Sequence, residues 1–262
     1  MSLDSVLVER RGPALVVTIN RPGAMNAVNG DVATAIGDAL QCAEADTTVR
    51  AVVLTGAGDR AFCAGADLKA LARGEPTAHR EHPEWGFAGY VRHFVSLPTI
   101  VAVNGFALGG GTELCLASDL VVAAETAQFG LPEVRRGIIA AAGGAFRLPR
   151  AIPRKIAMEM IFTGRPIDAR QAQAWGLVNR VTSRESVLTE ALSLAGEIAA
   201  NAPLAVRASK RIAYGSVAGD AAGETALWGI NAAEWAVVRR SRDAQEGARA
   251  FADKRPPVWL GQ

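Results

Sequence analysis

An α/β core followed by a helical C-terminal region is the fold class that the sequence predicts, and three observations predict it. Short apolar runs such as Ala51–Thr55 and Thr99–Asn104 alternate with helical patterns as far as residue 182. Runs of that kind suit strands of a sheet covered on both faces. From Ser186 onwards the periodicity is helical, broken near Pro203, Gly215 and Gly219. Half of the 262 residues are hydrophobic and 21% are charged, enough apolar surface to close a substantial core. The chain therefore divides into a core at 1–182 and a helical region at 183–262, with no flexible linker between them.

In chain order, Val6–Arg10 and Ala14–Asn20 read as two strands joined by the turn Arg11-Gly12-Pro13. Asp31 is placed to cap a helix running to about Ala45, with Val32, Ala35, Ile36 and Leu40 on one face. Ala51–Thr55 is the next strand, and Phe62–Leu68 a tight loop of small residues opening a short helix that carries Lys69. Residues 73–88 hold Gly74, Pro76, Pro83 and Gly86 and read as loop; Tyr90–Leu97 reads as helix. Thr99–Asn104 is a strand, Gly111–Ala117 a short buried helix and Leu120–Ala123 the strand after it. Gly143–Leu148, Lys155–Phe162 and Ala169–Trp175 follow as helices before a strand at Leu177–Val181.

Composition narrows the function classes. Lysine and arginine number 28 against 26 acidic residues, a net charge of +2, which gives no global argument for a nucleic-acid partner. Cys42, Cys63 and Cys115 are too few and too scattered for a disulfide framework or a zinc site. Phe94–Thr112 carries no charge, but Pro98, Asn104 and its glycines break it up, so no membrane span is expected. The opening MSLDSVLVERRG lacks a basic-then-apolar leader pattern, and a cytoplasmic location is expected.

The chemistry concentrates in Val103–Gly137. Gly109-Gly110-Gly111 runs straight into Thr112, Glu113 and an apolar stretch, and a second carboxylate, Glu133, follows the corner Leu131-Pro132. Glycines ahead of a helix let the backbone approach a ligand while the unpaired N–H groups of the helix start face it. Two carboxylates beside such donors are the parts needed for proton transfer next to a stabilised oxyanion.

FCAGADL at Phe62–Leu68, VNGFALGGGTEL at Val103–Leu114 and FGLPEVRRGI at Phe129–Ile138 closely resemble the enoyl-CoA hydratase (crotonase) superfamily. TGRPIDARQAQAWGLVNRV at Thr163–Val181 and the tail FADKRPPVW extend the resemblance over nearly the whole chain. The resemblance implies a spiral of ββα turns with a helical C-terminal trimerisation region, an acyl-CoA substrate and a homotrimer or dimer of trimers. It implies that the main-chain N–H groups of Ala66 and Gly110 hold the thioester oxygen, and that Glu113 and Glu133 are the catalytic pair. Ala64, Asp67, Leu68, Lys69 and Arg21 are implied at the CoA moiety. Phe251 and Lys254 would reach a neighbouring subunit's ligand. Ala141 stands where the family uses a main-chain N–H to hold the reacting water, within Ile139-Ala140-Ala141-Ala142-Gly143-Gly144, a segment that commonly carries a glycine before the Gly-Gly pair.

The expected activity is hydration of an enoyl-CoA, or dehydration of a 3-hydroxyacyl-CoA, with no metal and no cofactor beyond the coenzyme A of the substrate. A carnitinyl-CoA dehydratase-like enzyme and a double-bond isomerase are alternatives within the family, and a non-catalytic acyl-CoA-binding protein is one outside it. The acyl pocket is expected among residues 70–93, with Trp85, Phe87 and Tyr90 as candidate lining. His79 and His82 have metal-like spacing but no further ligands, and Cys63 has no local base to make it a nucleophile.

Overall fold

A computed structural model describes residues 4–217 and 220–262. Strands β1 (Val6–Arg11) and β2 (Ala14–Ile19) form an antiparallel pair, and α1 (Gly30–Ala45) follows. Three turns of one unit come next. The first holds β3 (Ala51–Gly56), β4 (Ala61–Cys63) and α2 (Leu68–Ala72). The second holds β5 (Thr99–Val103), β6 (Phe106–Leu108) and α3 (Gly110–Ala117); the third holds β7 (Leu120–Ala124), β8 (Gln128–Gly130) and a 3-10 helix at Pro132–Arg136. Each turn lays its first strand in one sheet and its second in another, so the chain winds as a spiral. The larger sheet has the order β1-β2-β3-β5-β7-β10, and the smaller the order β4-β6-β8-β9.

Helices α4 (Gly144–Ala151) and α5 (Arg154–Thr163), strand β9 (Ile167–Asp168), helix α6 (Ala169–Ala174) and strand β10 (Arg180–Thr182) complete both sheets. The C-terminal region holds α7 (Val187–Ala199), α8 (Pro203–Tyr214), α9 (Thr225–Val238) and α10 (Arg242–Ala252).

The apolar runs are apolar because both faces of the larger sheet are covered. Val52, Leu54, Val101 and Val103 pack with Val32, Ile36 and Leu40 of α1. Their neighbours Ala51, Val53, Ile100 and Ala102 point the other way, onto Val187, Ala191 and Ala195 of α7. Helix α7, part of the helical region by sequence, is thus one cover of the sheet. Each buried valine or leucine contributes about 1.5–3 kcal/mol, which makes this layer the main source of stability.

Polar side chains tie successive turns together. Asn26 Nδ2 donates to the Ala57 and Ala61 carbonyls at 2.9 and 2.8 Å, and Asn104 Nδ2 to those of Gly56 and Gly58 at 2.8 and 2.7 Å.

Three local expectations are corrected. The cap of α1 is Asn29, whose side chain accepts from the Val32 N–H, while Asp31 sits in the first turn paired with Arg80. Tyr90–Leu97 is a run of turns and irregular backbone, because tertiary partners take its backbone groups: Glu44 accepts from the Ser96 and Leu97 N–H groups, and Arg147 Nη2 donates to the Val91 carbonyl. The strand expected at Leu177–Val181 is confined to Arg180–Thr182, since the Leu177 and Val178 N–H groups both turn back to the Ala172 carbonyl.

Candidate active site

The spiral stacks three corners on one another: Ala64–Asp67 after β4, Gly109–Gly111 after β6 and Leu131–Glu133 after β8. Parallel pairing of β4, β6 and β8 sets their spacing. Thr112 Oγ1 locks the second corner to the third, accepting from the Gly130 N–H at 2.9 Å and donating to the Ala107 carbonyl at 2.6 Å. The close approach explains the glycines. A Cβ on Gly111 would overlap the Cys63 carbonyl oxygen, and Gly109, at φ +57, takes a left-handed conformation with the Glu133 carboxylate alongside.

Among the described residues, two main-chain donors come out of this packing unused. The parallel bridge between Val28 and Ala66 employs the Gly65 carbonyl and the Asp67 N–H, one residue either side, which leaves the Ala66 N–H out of the ladder. Gly110 opens α3, and the first N–H groups of a helix have no acceptor within it. The two corners touch: a Cβ on Gly65 would lie 3.1 Å from the Gly110 nitrogen. Both residues border a cavity of about 430 Å³.

The two carboxylates face the same cavity. Glu113, in the first turn of α3, is 3% exposed, and its Oε1 accepts from the Gly144 N–H at 2.8 Å. Glu133 enters from the 3-10 helix at Pro132–Arg136, and among the described residues its buried Oε2 has no hydrogen-bond partner. Burial pushes both carboxyls well above the usual carboxylate range, and the charge of Glu133 raises Glu113 further. The Gly144 and Ala142 main-chain N–H groups pull Glu113 partly back. Close carboxyls in such a place favour sharing one proton near neutral pH.

Of the other residues implied by resemblance, Ala64, Leu68, Ala141 and Phe251 line the cavity. Arg21, Asp67 and Lys69 do not. Arg21 pairs with Asp67 at 2.8 Å, Asp67 caps α2 through the Lys69 and Ala70 N–H groups, and the Lys69 side chain is exposed. Phe251 borders this chain's own cavity, with the Arg136 guanidinium 3.9 Å from its ring. It gets there because α10 lies directly on the Pro132–Arg136 helix, so closely that a Cβ on Gly247 would overlap the Arg136 carbonyl. Lys254, just past α10, is exposed and outside the lining.

Phe87 lines the cavity as expected, whereas Trp85 and Tyr90 do not. Trp85 stacks between His82 and His93, with ring centroids at 4.2 and 3.8 Å, and Tyr90 is buried with its hydroxyl 2.7 Å from Ser118 Oγ. His79 and His82 lean on Asp38 and Glu84. Sequence reasoning missed Arg136, Ile138, Ile139, Ala142 and Trp235, which also line the cavity. The signal for Trp235 was present: Trp228, Asn231 and Trp235 stand three and then four residues apart, one face of α9.

Comparison with known proteins places this architecture. Residues 9–262 match the family Enoyl-CoA hydratase/isomerase. The chain is 41% identical to a carnitinyl-CoA dehydratase of Salmonella paratyphi A, over 99% of each chain. It superposes on a crystal structure of carnitinyl-CoA hydratase from Mycobacterium avium with a TM-score of 0.98, at 56% identity and full coverage of both chains. An enoyl-CoA hydratase from Mycobacterium marinum gives a TM-score of 0.77 at 44% identity, covering 99% of this chain and 100% of that one. The chain belongs to the enoyl-CoA hydratase/isomerase family, as an enzyme of the hydratase–dehydratase type with the crotonase fold.

Proposed function

We propose that Glu113 and Glu133 add water across the α,β double bond of an enoyl-CoA thioester, or remove it from a 3-hydroxyacyl-CoA. One observation carries the assignment: two buried carboxyls, one with an oxygen unpartnered among the described residues, share a cavity with the Ala66 and Gly110 N–H groups, which have no acceptor among those residues either. In hydration, Glu113 takes a proton from water as its oxygen bonds to Cβ. The π electrons move into the thioester carbonyl, whose oxygen becomes an enolate held by the Ala66 and Gly110 N–H groups. Protonated Glu133 then supplies the proton to Cα. The Ala141 N–H helps to orient the water. The thioester is the electron sink, so the proton and electron balance closes without a metal or a redox cofactor.

The CoA moiety lies along Ala64 and Leu68, with Lys69 and Arg21 at its charged end and Phe251 beside it; Asp67 holds Arg21 in place. Lys254 reaches the CoA of a neighbouring subunit in a homotrimer or dimer of trimers, which sedimentation tests: a stable monomer at micromolar concentration removes that role. A cytoplasmic location keeps Cys42, Cys63 and Cys115 reduced. Among the described residues no helix is long and apolar enough to cross a membrane.

Crotonyl-CoA tests the reaction. Purified protein should bleach the conjugated enoyl thioester absorbance and, in deuterated water, place label at Cα. A binder would leave the absorbance unchanged. A second reading, a carnitinyl-CoA dehydratase, is favoured by the 56% identity to the carnitinyl-CoA hydratase structure against 44% to the enoyl-CoA hydratase. Phe87, Trp235 and Phe251 in the cavity lining also suit a trimethylammonium group, which aromatic faces attract. Preference for 3-hydroxybutyryl-CoA over carnitinyl-CoA, by kcat/KM, would remove it.

A further inference from the structure

Helix α9 lays one face against the segment that leads to Gly144. On that face Trp228 sits over Gly143, where an added Cβ would meet its ring at 3.2 Å, and Trp235 borders the cavity. Between them, Asn231 Nδ2 donates to the Ala141 carbonyl at 2.8 Å. The same peptide group carries the Ala142 N–H, two residues ahead of the Gly144 N–H that donates to Glu113 Oε1 at 2.8 Å; Ala142 lines the cavity beside Glu113, and its N–H holds the Glu113 pKa down. A trans peptide is planar and points its C=O and N–H in opposite directions, so a bond that fixes the carbonyl also fixes where the N–H points. Among the described residues every peptide bond is trans.

We infer that Asn231 is a positioning residue for Glu113: by holding the Ala141 carbonyl it fixes the peptide plane that carries the Ala142 N–H, in the segment whose Gly144 N–H donates to the same carboxylate. The inference rests on the reading of Glu113 as the group that handles the water proton. It gives the C-terminal region a part in the chemistry that cavity lining alone does not. Asn231 touches no reacting atom; it acts through one peptide plane. The segment Ile139-Ala140-Ala141-Ala142 needs such a brace, since neither the Ala141 nor the Ala142 main chain lies in a helix or strand. The brace is itself anchored, because the Arg147 guanidinium of α4 grips Glu224, just ahead of α9, at 2.6 Å. The charged groups acting on Glu113 are Glu133, which titrates with it, and Arg147, and neither is altered in an Asn231 variant, so the variant's shift is read against the wild-type pair.

Asn231→Leu removes the donor at nearly constant volume. Misaiming one group of a catalytic site costs up to about a hundredfold, so kcat should fall about ten- to a hundredfold with KM little changed. Loss of the Ala142 N–H raises the pKa of Glu113, so the limb of the pH–kcat profile that needs ionised Glu113 should move to higher pH. Asn231→Asp keeps the shape, but when ionised it sets a carboxylate against the Ala141 carbonyl; its deficit relative to wild type should shrink as pH falls and the acid again donates. A merely structural role predicts the opposite pattern, a lower melting temperature with kcat and pH profile unchanged, and that result for both variants overturns the inference. If the wild type turns over no enoyl- or 3-hydroxyacyl-CoA, the proposed function falls instead. The positioning is then read from the ¹³C titration of the Glu113 carboxyl, which must shift upward in Asn231→Leu for the inference to stand.

Discussion

A carboxylate stands near each end of helix α3, buried at the N-terminal end and half-buried just past the C-terminal one, and the two are treated in opposite ways. At the C-terminal end, Asp119 accepts from the Thr99 N–H at 2.7 Å and the Thr99 hydroxyl at 3.0 Å, and it meets Lys210 Nζ at 2.7 Å. At the N-terminal end, Glu113 has the Gly144 N–H and a second carboxylate for company, and Glu133 keeps an oxygen with no partner among the described residues. A carboxylate tied through one oxygen to a lysine and to the main chain and hydroxyl of a threonine holds structure together. A buried pair of carboxyls that shares a proton is held in readiness, at some cost in stability, for a substrate. Distance along one short helix separates architecture from chemistry.

The comparison breaks most sharply if the glutamates prove dispensable. A general acid or base is worth about 10²–10⁴-fold, so Glu113→Gln and Glu133→Gln should each lower hydration by that order. Their effects should be non-additive, because in the proposed mechanism both act in one proton-transfer sequence. Steady-state rates of the single and double variants on crotonyl-CoA check this. Full activity of Glu113→Gln beside a dead Glu133→Gln would point to a one-base isomerase.

Next in size is the proposed oxyanion donor. Gly110→Pro deletes the N–H and, as first residue of α3, keeps the helix start intact. It should raise the barrier by about 2.7–4 kcal/mol. The Phe87 ring, 2.5 Å from a Cβ at that position, must shift aside, so circular dichroism and melting belong with the rate measurement. Near-normal turnover in a folded variant would exclude Gly110 as a donor.

The opposite end of α3 should show the reverse signature. Lys210→Met strands the Asp119 charge, and breaking such a pair costs about 3–5 kcal/mol, with the lower end expected because both side chains keep some water contact. Denaturant unfolding should record the loss while kcat stays close to wild type. The double variant Asp119→Asn/Lys210→Met should recover part of it.

The smallest effect concerns pH. Glu113 and Glu133 have folded-state pKa values raised above their unfolded ones, so between the two the folded protein holds protons that the unfolded chain has released. Their contribution to stability therefore falls as pH rises from the ordinary carboxylate range, and levels off above the raised values. Each tenfold difference in proton affinity between the folded and unfolded chain is worth about 1.4 kcal/mol of that decline. Melting between pH 5.5 and pH 9 should show a decline in wild type that shrinks in either glutamine variant. An identical slope would mean that the pair is not strained by burial.

Sequence alone determined the class of fold and the neighbourhood of the site. Apolar runs such as Ala51–Thr55 are strand signals wherever a sheet is covered on both faces, and Gly109–Gly111 before Glu113 marks a helix start that something approaches closely. Only the tertiary structure decided the rest. Strands β4, β6, β8 and β9 are two or three residues long, too short for any periodicity to register, yet they stack the three corners that build the cavity. The turns at Tyr90–Leu97 were set by Glu44 and Arg147, partners distant in sequence that outcompeted local helical preference. Phe251 and Trp235 reached the cavity through the path of α9 and α10, and Asn231 met the Ala141 carbonyl across a separation no local pattern encodes. Local chemistry writes the elements into the chain. Which elements meet depends on contacts between residues far apart, and these exist only once the chain has closed on itself.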